Sequence, residues 1–327
     1  MTELRRSLRD YLALRRALGF KLETDGRLLY RFVDFADDQR ASFITRALAL
    51  RFALASPHGQ PAHCARRLRA VRMFAEYRAG ADPRTEVPPR GLLPESYIRR
   101  SPYVYSDSDI RKLTKAALRL HSRRGLRPTT LATLFRLLVV TGMRIGECLA
   151  LDCQDVDLVN GIIHVRDAKF GKSRLVPLHP STRKALKHYA ALRHKIIPPR
   201  KDSRFLVSEL DTGLSLSRVQ QAFRKLVRRV RLRSPAGQRG PRIHDFRHGF
   251  AIRTLENLYQ AGEDVERHLP ALATYLGHVG PVSTYWYLTA TPKLMRLALR
   301  RLGEERELST LRLACNRMMV TGRNLPA

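Results

Sequence analysis

Between Asp82 and Pro102 the chain carries Pro83, Pro88, Pro89, Pro94 and Pro102, with Gly91 among them. Proline fixes φ and removes a backbone donor, so neither a helix nor a paired strand runs through so dense a stretch. The chain must therefore fold as two bodies joined by an irregular segment, which Arg90, Arg99 and Arg100 make basic. This places a first body at 1–84, a linker at 85–102, a second body at 103–302 and a tail at 303–327.

The first body is helical throughout. Leu4, Leu8, Tyr11, Leu12, Leu14 and Leu18 recur at helical spacing until Gly19. A second run holds Leu29, Phe32, Val33 and Phe35, and a third starts near Thr45 and breaks at Pro57 and Gly59. A fourth, Ala62 to Tyr77, sets Leu68, Val71, Phe74 and Tyr77 against Arg66, Arg67, Arg69 and Arg72. That basic face either meets phosphates or is simply solvated.

Past the linker, Ser106-Asp107-Ser108-Asp109 predicts a capped helix start running to about Leu120. An apolar helix spans Thr129 to Val140 and breaks at Gly142. The period then changes: 161–166 and 174–178 are strand-like around a turn at 167–173. Helices return at 181–193 and 217–232. The fold class is mainly α, a helical domain followed by an α-rich domain with a small antiparallel β-sheet.

Sixty-one Lys and Arg against 29 Asp and Glu give a net charge of +32, and 50 of the basic residues are Arg. A compact chain so charged repels itself unless a polyanion offsets it, which makes nucleic acid the leading partner. A ribosomal or architectural protein is the plainer alternative. A membrane-surface protein would need a basic amphipathic helix with a clean apolar face, and none is legible. Cys64, Cys148, Cys153 and Cys315 have neither zinc nor disulfide-framework spacing. No apolar run reaches the ~18 residues of a membrane span, and Met1 to Arg16 has no signal-peptide core. A cytoplasmic, DNA-associated protein is expected.

Chemistry concentrates between His244 and Tyr287. His244 and Arg247 share a face of a helix starting near Asp245, and helix N-termini attract anions. Taken singly, a core histidine and a surface ion pair are the commoner fates. Arg144 follows the Gly142 break, where an unpaired buried charge is costly; Glu147 or a phosphate would satisfy it. Two arginines on one phosphodiester would stabilise the extra charge of a pentacoordinate transition state. Lys169 and Lys172 occupy the hairpin turn. A desolvated lysine can give up a proton near neutral pH and an arginine cannot, so either lysine is a candidate general acid. His278 closes Leu276-Gly277-His278 as a C-cap or a phosphate contact. Tyr287, otherwise a packing residue, needs cationic neighbours to act as a phenolate, because its free pKa is ~10. With no glycine-rich phosphate loop and no acidic two-metal cluster, no cofactor and no metal are expected.

In this order the residues resemble the tyrosine recombinase (phage integrase) family, whose pattern is Arg, Lys, His-x-x-Arg, His or Trp, then Tyr. Thr141-Gly142-Met143-Arg144, Lys169 before Arg174-Leu175-Val176-Pro177-Leu178, His244-Asp245-Phe246-Arg247-His248, Leu276-Gly277-His278 and Tyr287 carry the resemblance, over about Tyr103 to Leu302. It implies Arg144, Lys169, His244, Arg247 and His278 as catalytic residues and Tyr287, rather than Tyr285, as nucleophile. It also implies a core-binding domain over 1–84, a catalytic domain over 103–302, double-stranded DNA as substrate and a 3′-phosphotyrosyl intermediate. Four protomers would assemble on two duplexes, each a C-shaped clamp; the 303–327 tail either docks on a neighbour, as the resemblance implies, or is a frayed end. Val279-Gly280-Pro281 and Tyr285 to Pro292 look like recombinases of mobile elements, which integrate, excise or transpose. The competing readings are a type IB topoisomerase-like relaxing enzyme and a non-catalytic DNA-binding descendant of a recombinase.

Overall fold

The computed structural model describes residues 2–55, 61–94, 101–166, 173–198, 203–233, 240–278, 280, 282–289 and 291–303. Lys169, Lys172, Val279, Pro281, the break at Pro57 and Gly59, and the tail beyond 303 lie outside them. The chain divides into two compact units, Met1–Arg99 and Arg100–Ala327.

The first unit holds α1 (Glu3–Ala17), α2 (Glu23–Asp38), α3 (Arg46–Leu54) and α4 (Pro61–Ala79). Helix α1 buries Leu4, Leu8, Tyr11 and Leu12, whereas Leu14 and Leu18, which the sequence placed in the same run, are exposed. The Thr45 hydroxyl starts α3 by accepting the Leu48 N–H at 3.0 Å. Phe32, Phe52 and Phe74 sit at the centre of the core, where each buried aromatic contributes about 2–3 kcal/mol. The proline-dense segment stops helix formation without stopping packing: Val87 and Leu93 rest on this core, and the Glu86 N–H donates to the Ile44 carbonyl at 2.8 Å. Of the arginines on α4, Arg66 pairs with Asp25 and Arg67 lies over the Phe52 ring while donating to the Phe52 carbonyl. Those two are engaged inside the unit, as is Arg72 with Glu76 on the same helix; Arg69 and Arg72 border a shallow cup with Arg90.

The second unit runs α5 (Asp107–Leu118), α6 (Leu126–Thr141), α7 (Ile145–Ala150), β1 (Val156–Asp157), β2 (Ile162–Val165), β3 (Arg174–Pro177), α8 (Pro180–Ile196), α9 (Leu216–Arg229), α10 (Asp245–Gln260), α11 (Val265–Leu276) and α12 (Val282–Tyr285). A 3-10 turn, Trp286–Thr289, follows. Ser106 and Asp109 form a reciprocal capping box at the head of α5. Helix α6 starts at Leu126, earlier than the sequence suggests, because Pro128 is tolerated within a first turn. It is buried on nearly every side and packs against α5, α8 and α10. The strands form one antiparallel sheet in the order β1-β2-β3, with Ile163 opposite Val176. Strand β1 is two residues long, too short to leave an alternation in the sequence. Phe135, Phe223 and Phe246 share the main core, and a second cluster joins α10, α11 and the 3-10 turn through Ile252, Leu269, Leu276 and Tyr287. Among the described residues no helix is long and apolar enough to cross a membrane.

Candidate active site

The last turn of α11 organises the site. Gly277, at φ +67°, ends the helix in the left-handed region. The final carbonyls of a helix lack intrahelical donors and carry the negative end of its dipole. Here three successive ones each take an arginine. Tyr275 O accepts Arg174 Nε at 2.8 Å, Leu276 O accepts Arg247 Nη2 at 2.5 Å, and Gly277 O accepts Arg144 Nη2 at 2.8 Å. The three side chains come from the start of β3, the first turn of α10 and the N-cap of α7. Gly142, at φ +60°, makes the corner between α6 and α7, and its carbonyl accepts Arg247 Nη1 at 2.9 Å.

Glu147 is the carboxylate set among these cations. It is almost fully buried, receives Arg144 Nη1 at 2.7 Å, and chelates Arg174 through contacts of 3.1 and 2.7 Å. Burial alone would raise its pKa; the hydrogen bonds from Arg174 and Arg144 outweigh it, so the net shift is downward and Glu147 is ionised at neutral pH. Arg247 is 2% exposed, and burial together with the nearby charge of Arg144 lowers its pKa to about 10. It is still a cation at neutral pH, held without a carboxylate partner of its own among the contacts described.

The histidines line the same basin. His244 occupies the N-cap position of α10 without a side-chain capping bond, and its pKa is lowered by desolvation and then by Arg247. His248, one turn on, meets the His244 ring edge-to-face at 4.7 Å. Burial, reinforced by His244 and Arg242, pushes its pKa down to about 3. His278 Nδ1 lies 2.8 Å from Thr284 Oγ1, and desolvation followed by Arg247 brings its pKa to about 4. Tyr287 stacks on His278 with ring centroids 6.3 Å apart, and its hydroxyl lies 3.1 Å from His248 Nδ1. Tyr287 is 3% exposed and Tyr285 is 48% exposed, so of the two tyrosines only Tyr287 belongs to the basin.

Arg144, His244, Arg247, His278 and Tyr287 are thus brought together, although Arg144 lies 100 residues before the nearest of the others in sequence. Lys169 lies outside the described residues. Two further residues join them that the sequence did not single out for a role, Arg174 and His248. The helical step from His244 to His248 is a signal that could have found the second. Arg174 gave none, because its partners lie 27 and 101 residues away. Among the described residues no cluster of His, Cys, Asp and Glu could hold a metal ion.

Comparison with known proteins gives the arrangement a family. The phage integrase family matches residues 106–293, which spans both arginine turns, the histidines and Tyr287. The chain is a tyrosine recombinase. Members of this family are DNA strand-transferring enzymes. Among its relatives is y4rB of Sinorhizobium fredii (strain NBRC 101917 / NGR234), which carries the name integrase/recombinase; the two are 44% identical over 306 residues, 92% of this chain and 98% of the relative. The fold is shared with the Tn1549 transposon integrase bound to transposon right-end DNA, at a TM-score of 0.64 and 17% identity, covering 93% of this recombinase and 100% of that chain. It is shared also with a lambda integrase tetramer bound to a Holliday junction, at a TM-score of 0.62 and 18% identity, covering 87% and 76%.

Proposed function

We propose that this recombinase cuts and rejoins double-stranded DNA at specific sites through a 3′-phosphotyrosyl intermediate on Tyr287, in the integration, excision or transposition of a mobile element. The observation that carries the reading is the row of carbonyls 275–277 aiming Arg174, Arg247 and Arg144 into one basin with Tyr287 beside it. A guanidinium has five N–H donors. The carbonyl and carboxylate contacts leave donors on Arg144 and Arg247 for the non-bridging oxygens of a phosphodiester. These cations are fixed before substrate arrives, so no reorganisation is needed as negative charge develops.

The Tyr287 oxygen attacks phosphorus, the P–O5′ bond breaks, and a 5′-hydroxyl leaves. His248 orients the phenol, His278 contacts the phosphate, and His244 acts as general acid/base. Lys169 protonates the leaving oxygen. A 5′-hydroxyl from a partner duplex then attacks the phosphotyrosyl bond and restores both the DNA and the free tyrosine. Residues 1–84 are the core-binding domain and 103–302 the catalytic domain, with 85–102 joining them. Four protomers act on two duplexes. Likeness to y4rB and to a transposon integrase supports the mobile-element setting.

The test uses nicked duplexes tiled across the DNA that flanks the gene, so that the cut fragment diffuses away. The chain should accumulate a covalent protein–DNA adduct on a defined duplex and exchange strands between two copies of it. Tight binding with no adduct on any duplex overturns the reading in favour of a DNA-binding protein. Relaxation of supercoiled plasmid at no preferred site points instead to a type IB topoisomerase-like enzyme.

A further inference from the structure

Arg174 is given no contact with DNA in the chemistry proposed above, yet it touches both halves of the phosphate site. Its backbone opens β3, paired with Val165. Its side chain is 10% exposed and chelates Glu147 through two nitrogens while its Nε donates to Tyr275 O. Glu147 in turn holds Arg144 through both its side chain and its backbone N–H, the latter at 2.8 Å. Gly277 seals the junction: a Cβ there would lie 3.0 Å from Arg174 Nη1 and 3.4 Å from Arg144 Nη1.

We infer that Arg174 is a positioning residue that occupies the Glu147 carboxylate and so leaves the charge of Arg144 available to the scissile phosphate. This rests on the strand-exchange reading. Three guanidiniums, of Arg144, Arg174 and Arg247, are clustered with one carboxylate, which bonds the first two, so the cluster carries two positive charges in excess. A phosphodiester carries one negative charge and its pentacoordinate transition state close to two. The excess therefore matches the transition state rather than the substrate, which is the condition for lowering the barrier. Without Arg174, Glu147 remains buried and ionised with Arg144 as its remaining guanidinium partner. It then draws Arg144 back and cancels it, and the excess falls to one. A buried carboxylate cannot turn to water for compensation.

The inference makes a prediction that a merely structural role does not. Arg174→Ala should slow formation of the covalent complex by about 100-fold, in the range seen when one transition-state donor is lost. Affinity for the duplex should change by less than about threefold, because many phosphate contacts share it. Adding Glu147→Gln to Arg174→Ala removes the uncompensated charge and returns the excess to two. The double variant should react at least about tenfold faster than Arg174→Ala alone. Arg174→Lys, which keeps the charge but lacks the planar fork, should fall between wild type and Arg174→Ala.

The experiment measures single-turnover adduct formation by the full chain on the nicked duplex that wild type cleaves, with thermal melting and duplex binding recorded for every variant. Rescue by Glu147→Gln supports the inference. A double variant equal to or slower than Arg174→Ala overturns it, as does an Arg174→Lys chain that folds, binds and reacts no faster than Arg174→Ala. Wild type that binds without forming an adduct overturns the strand-exchange reading and this inference with it. An adduct in wild type with no rescue overturns only the inference.

Discussion

Arg247→Lys should lower the rate of covalent DNA cleavage by about 10³-fold while binding of the duplex weakens only slightly. The size follows from what Arg247 does at once. One planar group donates to Gly142 O at 2.9 Å and to Leu276 O at 2.5 Å, and so ties the corner before α7 to the end of α11. Its other N–H groups are those the proposed phosphate contact would use. Lysine has a compact ammonium that can reach one of those carbonyls but not both and still address a phosphate. The site also works against a lysine's charge. Burial and Arg144 already pull the Arg247 guanidinium down to about 10, and an ammonium in the same place starts from a lower value. Loss of one preorganised donor costs about 10²–10³ in rate, and partial loss of the charge adds to it. Single-turnover cleavage on a nicked duplex, with binding measured in parallel, checks the prediction; a loss shared equally by binding and cleavage would contradict it.

Gly142→Ala should destabilise the second unit by about 3 kcal/mol or more and lower its unfolding midpoint by roughly 10 °C. Two separate costs add. At φ +60° any residue with a Cβ is strained by about 1–2 kcal/mol. The added Cβ would also lie 2.6 Å from Phe250 Cδ1, 2.9 Å from Phe250 Cγ and 3.2 Å from Leu276 Cδ2. Phe250 stacks on Tyr275 at 5.4 Å, so its ring cannot step aside without disturbing the last turn of α11. The same push reaches Leu276 O and Gly142 O, which hold Arg247. Thermal unfolding reads the stability. A control at Gly125, also at positive φ but with nothing within 4 Å of an added Cβ, should pay the backbone strain alone. Equal shifts for Gly142→Ala and Gly125→Ala would show that the packing argument is wrong.

How much of this was legible in the sequence differs between fold and site. The helices of the first unit were, because Leu4, Leu8, Tyr11 and Leu12 or Leu29, Phe32 and Val33 repeat with a helical period wherever a core is present. The corner at Gly142 was too, since a glycine after an apolar run has few other uses. Boundaries were less so: Pro128 reads as a helix break but sits in the first turn of α6. Glu147 was noticed only as a local partner for Arg144. Its second partner, Arg174, is set by the antiparallel register that brings β3 beside α11, and register is a property of pairing that no local pattern records. The row of carbonyls 275–277 is backbone chemistry and has no residue signature at all.

The central claim is that the Tyr287 hydroxyl beside His248 is the nucleophile, and the measurement that meets it most directly identifies the amino acid that carries the DNA. Wild-type chain is trapped on a nicked duplex, the adduct is digested with protease and nuclease, and the nucleotide-bearing peptide is sequenced by mass spectrometry. The account predicts the nucleotide on Tyr287 and no adduct from a Tyr287→Phe chain that still binds the duplex. A nucleotide on the exposed Tyr285 or any other residue, or an undiminished adduct from Tyr287→Phe, would contradict it.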